Sequence, residues 1–504
     1  MRSRLPTPVL LCLLAVVVCA VVNPGNFGTI DTPRRLQAER WIRLGEPPVR
    51  PIDRASGFGI AGRQGVVHAW YGIGQSLVLA PFDMLVSAAA GPGLRRLGLD
   101  AEKQRQVSEL LIAFLMQASL TAALLLLARA LLAGLGFPPA AALAGALSLL
   151  LATTCLYYVQ VAQENLLLLV LALTALVSIR RWETTGAARW AALAGAAGGF
   201  AVLVRLPSLL EAGVFAAFAL AAGGNRARFL AAYLPPLAVG VLADRWYQWL
   251  RFGEWTSTYM GLLGRLARPA GAPASYPFSY PFAKGFFGAF VSSDKSVLLF
   301  DPLLLVVAVA AVWHWRSLHR RVRALLVSCA LLLLLYVALY ARYFGFGGDV
   351  AWGHRYLTLP VHLLALFAIP IAMSTRPRLP RAVWAVLAIA VALQALSTTM
   401  VANVEVTQRE RGEPGSVVPN RVANLAAVIA GRVDTPRFAG VPAEWRSLAY
   451  FPFQLRFHFP RLAVWAIAGW WLLVACIPLL VFRAMSHQPS AISHQLISRV
   501  ARRL

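Results

Sequence analysis

Long apolar runs alternate with short polar segments over almost the whole chain. A helix needs roughly 20 mainly apolar residues to cross a bilayer, and about twelve runs approach that length. The predicted spans are residues 9–22, 110–132, 140–156, 161–179, 191–204, 206–222, 229–243, 297–313, 324–340, 357–373, 382–401 and 462–482. The pattern therefore predicts an all-α polytopic membrane protein with about twelve transmembrane helices, folded as a single integral membrane domain over residues 1–504.

The first run is open to two interpretations. Arg2 and Arg4 precede the apolar residues 9–22, so the segment has the layout of a cleavable signal peptide. The residues that follow match a cleavage site only weakly. We therefore favour an uncleaved first span.

Two amphipathic helices are predicted in the polar segment that follows, residues 23–109. Residues 34–44 have helical spacing, with Pro33 near the first turn. Residues 75–90 are apolar but interrupted by Pro81 and Asp83, which favours a helix lying in the membrane interface over one that crosses it.

Composition supports a membrane location and changes how the charge is interpreted. Hydrophobic residues make up 59% of the chain and charged residues 13%, with a mean hydropathy of +0.65, so a soluble globule of this size would lack polar surface. The net charge of +26 would suggest nucleic acid as the partner of a soluble protein. Here the arginines lie in short clusters between apolar runs, as in cytoplasmic loops of membrane proteins, so we expect no nucleic-acid partner.

The arginine clusters also predict an orientation. Every second inter-span segment is rich in arginine, which places these segments and both termini, including the basic tail 483–504, in the cytoplasm of a multi-pass cell-membrane protein. They contain Arg2, Arg4, Arg129, Arg180, Arg181, Arg189, Arg226, Arg228, Arg316, Arg320, Arg321, Arg323, Arg376, Arg378 and Arg381. The opposite segments, 23–109, 244–296, 342–356 and 403–461, carry nearly all the acidic residues and are predicted to be extracytoplasmic, with Glu183 as the clear exception.

The cysteines argue against a disulfide or zinc site, and the lack of repeats argues against one class of transporter. All five cysteines lie inside apolar runs, with no spacing typical of a metal site, so neither a disulfide nor a zinc site is predicted. No internal repeat is visible in the sequence, which argues against a transporter built from two related halves.

Asp31 is the candidate catalytic residue in the segment around which we expect the site to form, residues 23–83. A carboxylate just beyond a membrane span can act as a general base at the membrane surface. The alternative is a helix cap, because Asp31-Thr32-Pro33 opens a predicted helix.

Glu164 and Arg205 are ionisable residues at the outer ends of predicted spans, where charge is costly and marks functional candidates. Glu164 is a candidate acid, or it extends to the interface. Arg205 can bind a phosphate with two parallel hydrogen bonds, or it pairs with Glu211.

The segment 343–356 is the densest in candidate binding groups. Its glycines allow close backbone approach, and the charged and aromatic side chains suit a sugar phosphate. These side chains are Asp349, Trp352, His354, Arg355 and Tyr356. An interfacial aromatic belt with a turn is the alternative. Lys295, directly before a span, is either an anion contact or an interfacial anchor.

Together these elements resemble the superfamily of multi-spanning glycosyltransferases with the C-type fold, especially bacterial members similar to the protein O-mannosyltransferase and lipid A aminoarabinose transferase group. The matching parts are Asp31 with the arginine-rich helix after it, and three further short stretches in the same order. Those stretches are residues 65–81, 294–302 and 347–360. The resemblance covers most of the chain in layout but only these pieces in detail.

The resemblance implies a transferase that moves a sugar from a polyprenyl-phosphate donor to a lipid, glycan or protein acceptor at the extracytoplasmic face. It implies Asp31 as the catalytic base and Glu164 as a second acid. By the same likeness, the donor phosphate would be held by Arg205, Lys295 and Arg355, and the sugar or acceptor by His68, Tyr71, Asp349, Trp352, His354 and Tyr356. Many relatives have two adjacent acidic residues where this chain has Ile30-Asp31-Thr32, which favours a site without a cofactor or metal and leaves metal use open.

Two other classes remain as alternatives. A lipid-linked-sugar transporter or flippase would also have about twelve spans, but we would expect repeats and ionisable groups near the bilayer centre. A non-catalytic envelope assembly protein would not need a base and cations in one pocket. The segment 403–461 either covers the site or binds the acceptor, or it is a solvated connector.

Overall fold

The computed structural model describes residues 5–486, apart from 97, 222–224, 267, 269, 349–350, 376–378 and 414. Predictions that fall on Arg2, Arg4, Arg376, Arg378 or the end of the basic tail lie outside the described residues. The α-helices are α1 Thr7–Val22, α2 Asp31–Leu44, α3 Pro51–Ala55, α4 Gly74–Ala89, α5 Gly91–Arg96, α6 Ala101–Gly134, α7 Pro139–Leu151, α8 Cys155–Gln160, α9 Glu164–Thr185, α10 Ala188–Val204, α11 Ser208–Ala221, α12 Arg226–Phe252, α13 Tyr259–Leu266, α14 Phe282–Val291, α15 Val297–Phe300, α16 Leu303–His314, α17 Arg320–Tyr340, α18 Thr358–Ala365, α19 Ala368–Thr375, α20 Arg381–Ser397, α21 Asn403–Glu410, α22 Val417–Ile429, α23 Phe451–Gln454 and α24 Pro460–Ser486.

Non-α elements are short. Single 3₁₀ turns cover Arg63–Gly65, Arg355–Leu357, Pro436–Phe438, Ala443–Trp445 and Leu455–Phe457. The strands of the described structure, β1 Ile60–Ala61 and β2 Val67–His68, form an antiparallel hairpin with Ile60 opposite His68. The all-α prediction is confirmed.

Six of the described helical segments are long and apolar enough to cross a membrane, which makes this a membrane protein. They are Ala101–Gly134, Glu164–Thr185, Arg226–Phe252, Arg320–Tyr340, Arg355–Met373 and Pro460–Ser486. Each of the other predicted runs also falls on helix, but on shorter helices. For example, the 16 residues of α1 extend about 24 Å, less than the roughly 30 Å of a hydrocarbon core.

Two of the predicted spans are broken where they approach each other in the core. Run 297–313 is interrupted between α15 and α16, because Pro302 cannot continue the hydrogen-bonding pattern of α15. The carboxylate of Asp301 accepts hydrogen bonds from the backbone N–H of Thr154 at 2.6 Å and its hydroxyl at 2.9 Å, at the break between α7 and α8. His362 Nε2 lies 2.9 Å from that hydroxyl. Irregular backbone inside a membrane protein is stable when buried partners satisfy it in this way.

The helices of residues 23–109 are fixed to each other by ion pairs. Helix α2 covers the predicted 34–44 helix, and α4 covers the predicted 75–90 helix up to Ala89, without a break at Pro81. Asp83, whose side chain is 1% exposed, accepts from Arg40 at 2.6 Å and also from Arg43. Both predicted helices are therefore present, and their position in the membrane interface stays a prediction.

The segment 403–461 is folded and packs against the helical body. The buried guanidinium of Arg421 donates to both carboxylate oxygens of Glu405, at 2.6 and 2.7 Å. Asp294, just before α15, accepts from Arg409 at 3.0 Å and from the backbone N–H of Val417 at 2.9 Å. These contacts show a packed segment and not a solvated connector, and its role at the site stays a prediction.

Helices α10 and α12 pack closely because glycines face each other. A methyl group at Gly240 would lie 2.4 Å from backbone atoms of Gly199, closer than atoms can approach. We expect Gly240→Ala to lower the free energy of unfolding by about 1–3 kcal/mol through overpacking. The measurement is the thermal unfolding midpoint of the purified protein in detergent.

Gly213→Ala in α11 is the matched control, since a methyl group there meets no atom within 4 Å. It should leave the midpoint near that of the wild type. Equal midpoints for the two variants would contradict the close approach of α10 and α12.

Candidate functional site

Asp31 is positioned by a loop that is fixed to the start of α9. The backbone O of Phe27 accepts from Ala162 N at 2.9 Å, and the hydroxyl of Thr32 donates to Ala162 O at 2.6 Å. Gly28 has a φ of +66° between these contacts, a conformation that glycine adopts without strain. The first residue of α2, Asp31, consequently faces the first residue of α9, Glu164.

The Asp31 carboxylate does not cap its own helix. Oδ1 accepts from the Tyr71 hydroxyl at 2.7 Å, and Oδ2 accepts from Arg355 Nη2 at 2.8 Å. The residue before α2 is Ile30, and no side chain caps the helix there. The helix-cap interpretation of Asp31 is therefore wrong, because stronger, charge-assisted partners occupy the carboxylate.

Glu164 completes a continuous chain of charges. Its carboxylate accepts from Arg35 Nη2 at 2.8 Å and from Arg355 Nη2 at 3.2 Å. The Arg35 guanidinium also lies over the ring of Tyr71, 4.4 Å from its centroid. We call Asp31, Arg35, Tyr71, Glu164 and Arg355 the Asp31 cluster.

A glycine-rich loop brings Arg355 to this cluster. The backbone N–H of Arg355 donates to Gly347 O at 3.3 Å, and a methyl group at Gly348, where φ is +81°, would lie 2.4 Å from the Arg355 Cβ. Lys295 supports the same loop by donating to Ala351 O at 2.7 Å and Gly353 O at 3.2 Å. The lysine thus contacts the segment that carries Arg355.

Arg205 lies beside the cluster with its hydrogen-bonding capacity unused. It follows the end of α10, with its guanidinium 4.7 Å from the ring centroid of Tyr356 and 5.4 Å from that of Tyr340. It forms no side-chain hydrogen bond or ion pair with the residues that the structure describes. Glu211 accepts instead from Tyr336 and, at 3.3 Å, from Ser208, so the predicted alternative pairing of Arg205 with Glu211 is wrong.

Other donors in the cluster are also unused. Within the described structure, Nη1 of Arg35 and Nε of Arg355 are buried without a hydrogen-bond partner. Buried donors of this kind are unfavourable unless a ligand or water satisfies them. With Arg205, they make this end of the bundle suited to bind an anion.

Electrostatics keep the Asp31 carboxylate charged and the Tyr71 hydroxyl protonated. Burial raises the pKa of Asp31, but the Arg355 and Arg35 guanidinium groups more than offset it, so the pKa lies below its ordinary value. Burial and the negative charge of Asp31 raise the pKa of Tyr71 well above its ordinary value. Tyr71 therefore remains a hydrogen-bond donor at neutral pH.

The predicted histidine contacts lie in buried aromatic surroundings. His68, on β2, packs edge-on against Trp41 at 4.9 Å and Phe252 at 5.9 Å between ring centroids. His354 packs against Phe346 at 5.9 Å. Burial and the charges of Lys295 and Arg205 lower the pKa of His354 to about 3.

The remaining predicted binding residues are divided between the core and the site. Trp352 is 2% exposed and lies between Phe300, 5.2 Å away, and the guanidinium of Arg421, 5.1 Å away. Its ring faces are covered by protein. Tyr356 faces Arg205, as described above, and Asp349 lies outside the described residues.

Sequence reasoning missed three residues at the site. Arg35 bonds Glu164, Tyr340 stacks on Tyr356 at 4.5 Å, and Tyr259 stacks on Trp70 at 5.7 Å. The signal for Arg35 was its position one helical turn after Asp31, on the same face of α2. Tyr340 and Tyr259 had no comparable signal, because only tertiary packing brings them here.

The described residues offer few side chains that could bind a metal ion together. No group of three or more His, Cys, Asp or Glu side chains that could hold a metal ion occurs among the described residues. Asp31 and Glu164 are both bonded to arginine.

Acid should weaken this part of the fold through His68. Burial and the charge of Arg251 lower the pKa of His68 from 6.5 to about 4. Between these pH values the unfolded chain binds a proton that the folded protein does not, so folding stability falls as the pH is lowered through this window. We expect His68→Phe, which keeps a ring beside Trp41, to reduce this loss, measured as the unfolding midpoint from neutral pH to pH 4.

Burial also lowers the pKa of His354, so this histidine weakens folding in acid to the same extent in wild type and in His68→Phe. The control is His458→Phe, since His458 is exposed and should leave the pH dependence unchanged. A decline with acid that is identical in wild type and His68→Phe would contradict the burial of a neutral His68.

Comparison of the chain with protein-family models, curated proteins and solved structures gave no significant match. The function is therefore argued from the geometry of the site.

Proposed function

We propose that the protein is a glycosyltransferase of the C-type-fold kind, which moves a sugar from a polyprenyl-phosphate donor to a hydroxyl of a lipid, glycan or protein acceptor. The observation that carries the proposal is the Asp31 cluster with Arg205 beside it. One end of the bundle holds an ionised carboxylate together with arginine N–H groups that have no acceptor among the described residues. A glycosyl phosphate requires both kinds of group.

The proposed reaction is a single displacement. The acceptor oxygen forms a bond to the anomeric carbon, and the bond from that carbon to the phosphate oxygen breaks, with its electron pair leaving on the phosphate. The acceptor proton passes to Asp31, and the products are a glycoside of inverted configuration and polyprenyl phosphate. Asp31 is suited to this role because each carboxylate oxygen accepts one protein hydrogen bond and retains a second lone pair.

The arginines would stabilise the charge that develops on the leaving phosphate. Arg205, held against the stacked rings of Tyr340 and Tyr356, and the N–H groups of Arg35 and Arg355 without a partner in the described structure are oriented before substrate arrives. Donors that are already oriented stabilise a developing oxyanion without reorganisation, which is where most of such rate enhancement arises. Glu164 would act mainly by positioning Arg35 and Arg355.

The lipid tail of the donor needs an apolar path from the bilayer. Helix α14 packs through Gly285 against Ala341, immediately before the loop that carries Arg355. It exposes Phe282, Phe287 and Val291. This surface supports an entry for the polyprenyl chain next to the site.

The proposed topology has about twelve spans in the cell membrane, with both termini cytoplasmic and the site extracytoplasmic. Two helices support it: α9 begins at Glu164 and ends near Glu183, and α17 runs from Arg320 to Tyr340. At the end away from the site, Arg321 donates to Glu183 at 2.8 Å. The arginine-rich ends of these helices are opposite the Asp31 cluster, and arginine-rich segments favour the cytoplasm.

A lipid-linked-sugar flippase is the second candidate, favoured by one observation. Asp301 and His362 are ionisable residues buried in the helical body, 4.0 Å apart. Such pairs occur in proton-coupled transporters. Movement of the intact lipid-linked sugar between leaflets, without transfer to any acceptor, would support it.

The first test is Asp31→Asn, which keeps the size of the side chain and its hydrogen bond to Arg355 but removes the base. We expect transfer from a radiolabelled polyprenyl-phosphate sugar in proteoliposomes to fall by about 10²–10⁴-fold. Asp434→Asn is the control, because Asp434 is exposed in the segment 403–461 and should retain full transfer. Undiminished transfer by folded Asp31→Asn would remove Asp31 as the base.

The second test separates donor binding from chemistry. Arg205→Gln should raise KM for the donor and lower kcat, since the guanidinium would contact the phosphate in both the ground and the transition state. KM for the acceptor should not change. A variant that changes only acceptor KM would contradict the role of Arg205 in phosphate binding.

A further inference from the structure

A groove of about 560 Å³ lies between α11 and α17, away from the Asp31 cluster. One wall is the face of α11 with Gly213 and Ala217, and the floor includes Phe218. The other wall is the first half of α17, with Arg320 and Arg323 at the mouth. No residue of the Asp31 cluster contributes to it.

The groove opens at the opposite membrane face from the candidate active site. Helix α17 runs for 21 residues from Arg320 to Tyr340, about 31 Å, and Tyr340 lies beside Arg205. That length is close to the thickness of a hydrocarbon core. The mouth of the groove is therefore at the depth of lipid headgroups of the other leaflet.

Small side chains create the space. Gly213 and Ala217 are both exposed, one turn apart on α11, and a methyl group at Gly213 would meet no atom within 4 Å. Val214 and Phe218 next to them are buried and apolar. The result is a channel with hydrocarbon walls that is open along the helices.

Among the described residues, the arginines at the mouth have no acidic partner. Arg320 is exposed and Arg323 half-buried, and neither forms a hydrogen bond or ion pair through its side chain with the described residues. Arg321, between them in sequence, instead donates to Glu183 at 2.8 Å.

The position of these arginines on α17 adds to the charge imbalance. They lie in the first turns of α17, where no acidic residue is present and the helix dipole disfavours cations. An anion between Arg320 and Arg323 would offset the repulsion between the two guanidinium groups and their unfavourable interaction with the helix dipole.

The rim contains an aromatic residue suited to the headgroup region. Trp315, 37% exposed, lines the mouth beside Arg320. Tryptophan is enriched at this depth because its ring is apolar and its N–H is a donor. The order along the groove is thus apolar wall, aromatic rim and cationic mouth, which matches the order of acyl chain, glycerol backbone and phosphate in a phospholipid.

We propose that this groove, the Arg320 groove, is a binding site for an anionic phospholipid of the leaflet opposite the active site. An acyl chain lies against Gly213, Ala217 and Phe218, and the phosphate is held by Arg320 and Arg323. Basic pockets between transmembrane helices bind anionic headgroups in this manner. The volume is within the range of roughly 300–1,000 Å³ typical of ligand pockets. The inference does not depend on the proposed glycosyl transfer.

The test measures retained lipid by native mass spectrometry after incubation of the full-length protein with phosphatidylglycerol or phosphatidylcholine. Wild type should retain phosphatidylglycerol in preference. Replacing both arginines, in R320Q with R323Q, should weaken phosphatidylglycerol retention about 30-fold, from the loss of two cation–headgroup contacts. The matched control is R226Q with R228Q, which removes the same charge from exposed positions at the start of α12. It should retain the lipid as wild type does.

A further double variant tests the apolar wall of the groove without changing charge. Gly213→Leu with Ala217→Leu should fill the groove and lower retention of both lipids, while the exposed positions leave packing intact. Equal retention by wild type and R320Q/R323Q, or equal loss in both arginine pairs, would overturn the site. Efficient disulfide dimers of Ala217→Cys in vesicles would show a second copy in the groove and would overturn it as well.

Discussion

The structure of the candidate site depends on one guanidinium shared between two carboxylates. Arg355 Nη2 lies 2.8 Å from Asp31 Oδ2 and 3.2 Å from Glu164 Oε1. These three residues come from the first polar segment, the start of α9 and the loop before α18, so a single group joins parts of the chain 324 residues apart. Removing one member of a buried pair costs about 3–5 kcal/mol, because the remaining charge loses its partner. The geometry is therefore strongly enforced.

The same constraint explains why the site combines charged carboxylates with unused arginine donors. The carboxylates of Asp31 and Glu164, which share Arg355, would repel each other. Arg35 together with Arg355 keeps both ionised. The arginines nonetheless keep unused N–H groups, since a carboxylate cannot satisfy all five donors of a guanidinium. Tyr340 and Tyr356 stack on each other, and the Arg205 guanidinium lies against this pair, 5.4 and 4.7 Å from the two ring centroids. A site that is rigid and still has free donors is suited to an anionic substrate.

The sequence predicted the helical class, because apolar length is a strong local signal. It also predicted that Asp31, Glu164, Arg205, Lys295 and Arg355 would face the same side, from the alternation of arginine-rich segments. Breaks at Asp301 and Thr154 were missed, since both lie in apolar runs and only their mutual hydrogen bonds stabilise an interruption. The burial of Trp352 against Arg421 could not be read from spacing, because it depends on how 403–461 folds over the bundle. The alternative interpretation of Asp31 as a helix cap failed for a similar reason: partners distant in sequence, Tyr71 and Arg355, occupy its carboxylate.

The central claim is that one end of the bundle combines a carboxylate base with a separate set of phosphate-binding arginines. Equilibrium binding of radiolabelled polyprenyl phosphate, the sugar-free product, tests that division most directly. The account predicts that Asp31→Asn binds it at least as tightly as wild type, because removing a negative charge favours an anion, whereas Arg205→Gln binds about tenfold more weakly. Failure of both wild type and Asp31→Asn to bind the phosphate, with Arg205→Gln no different, would contradict it.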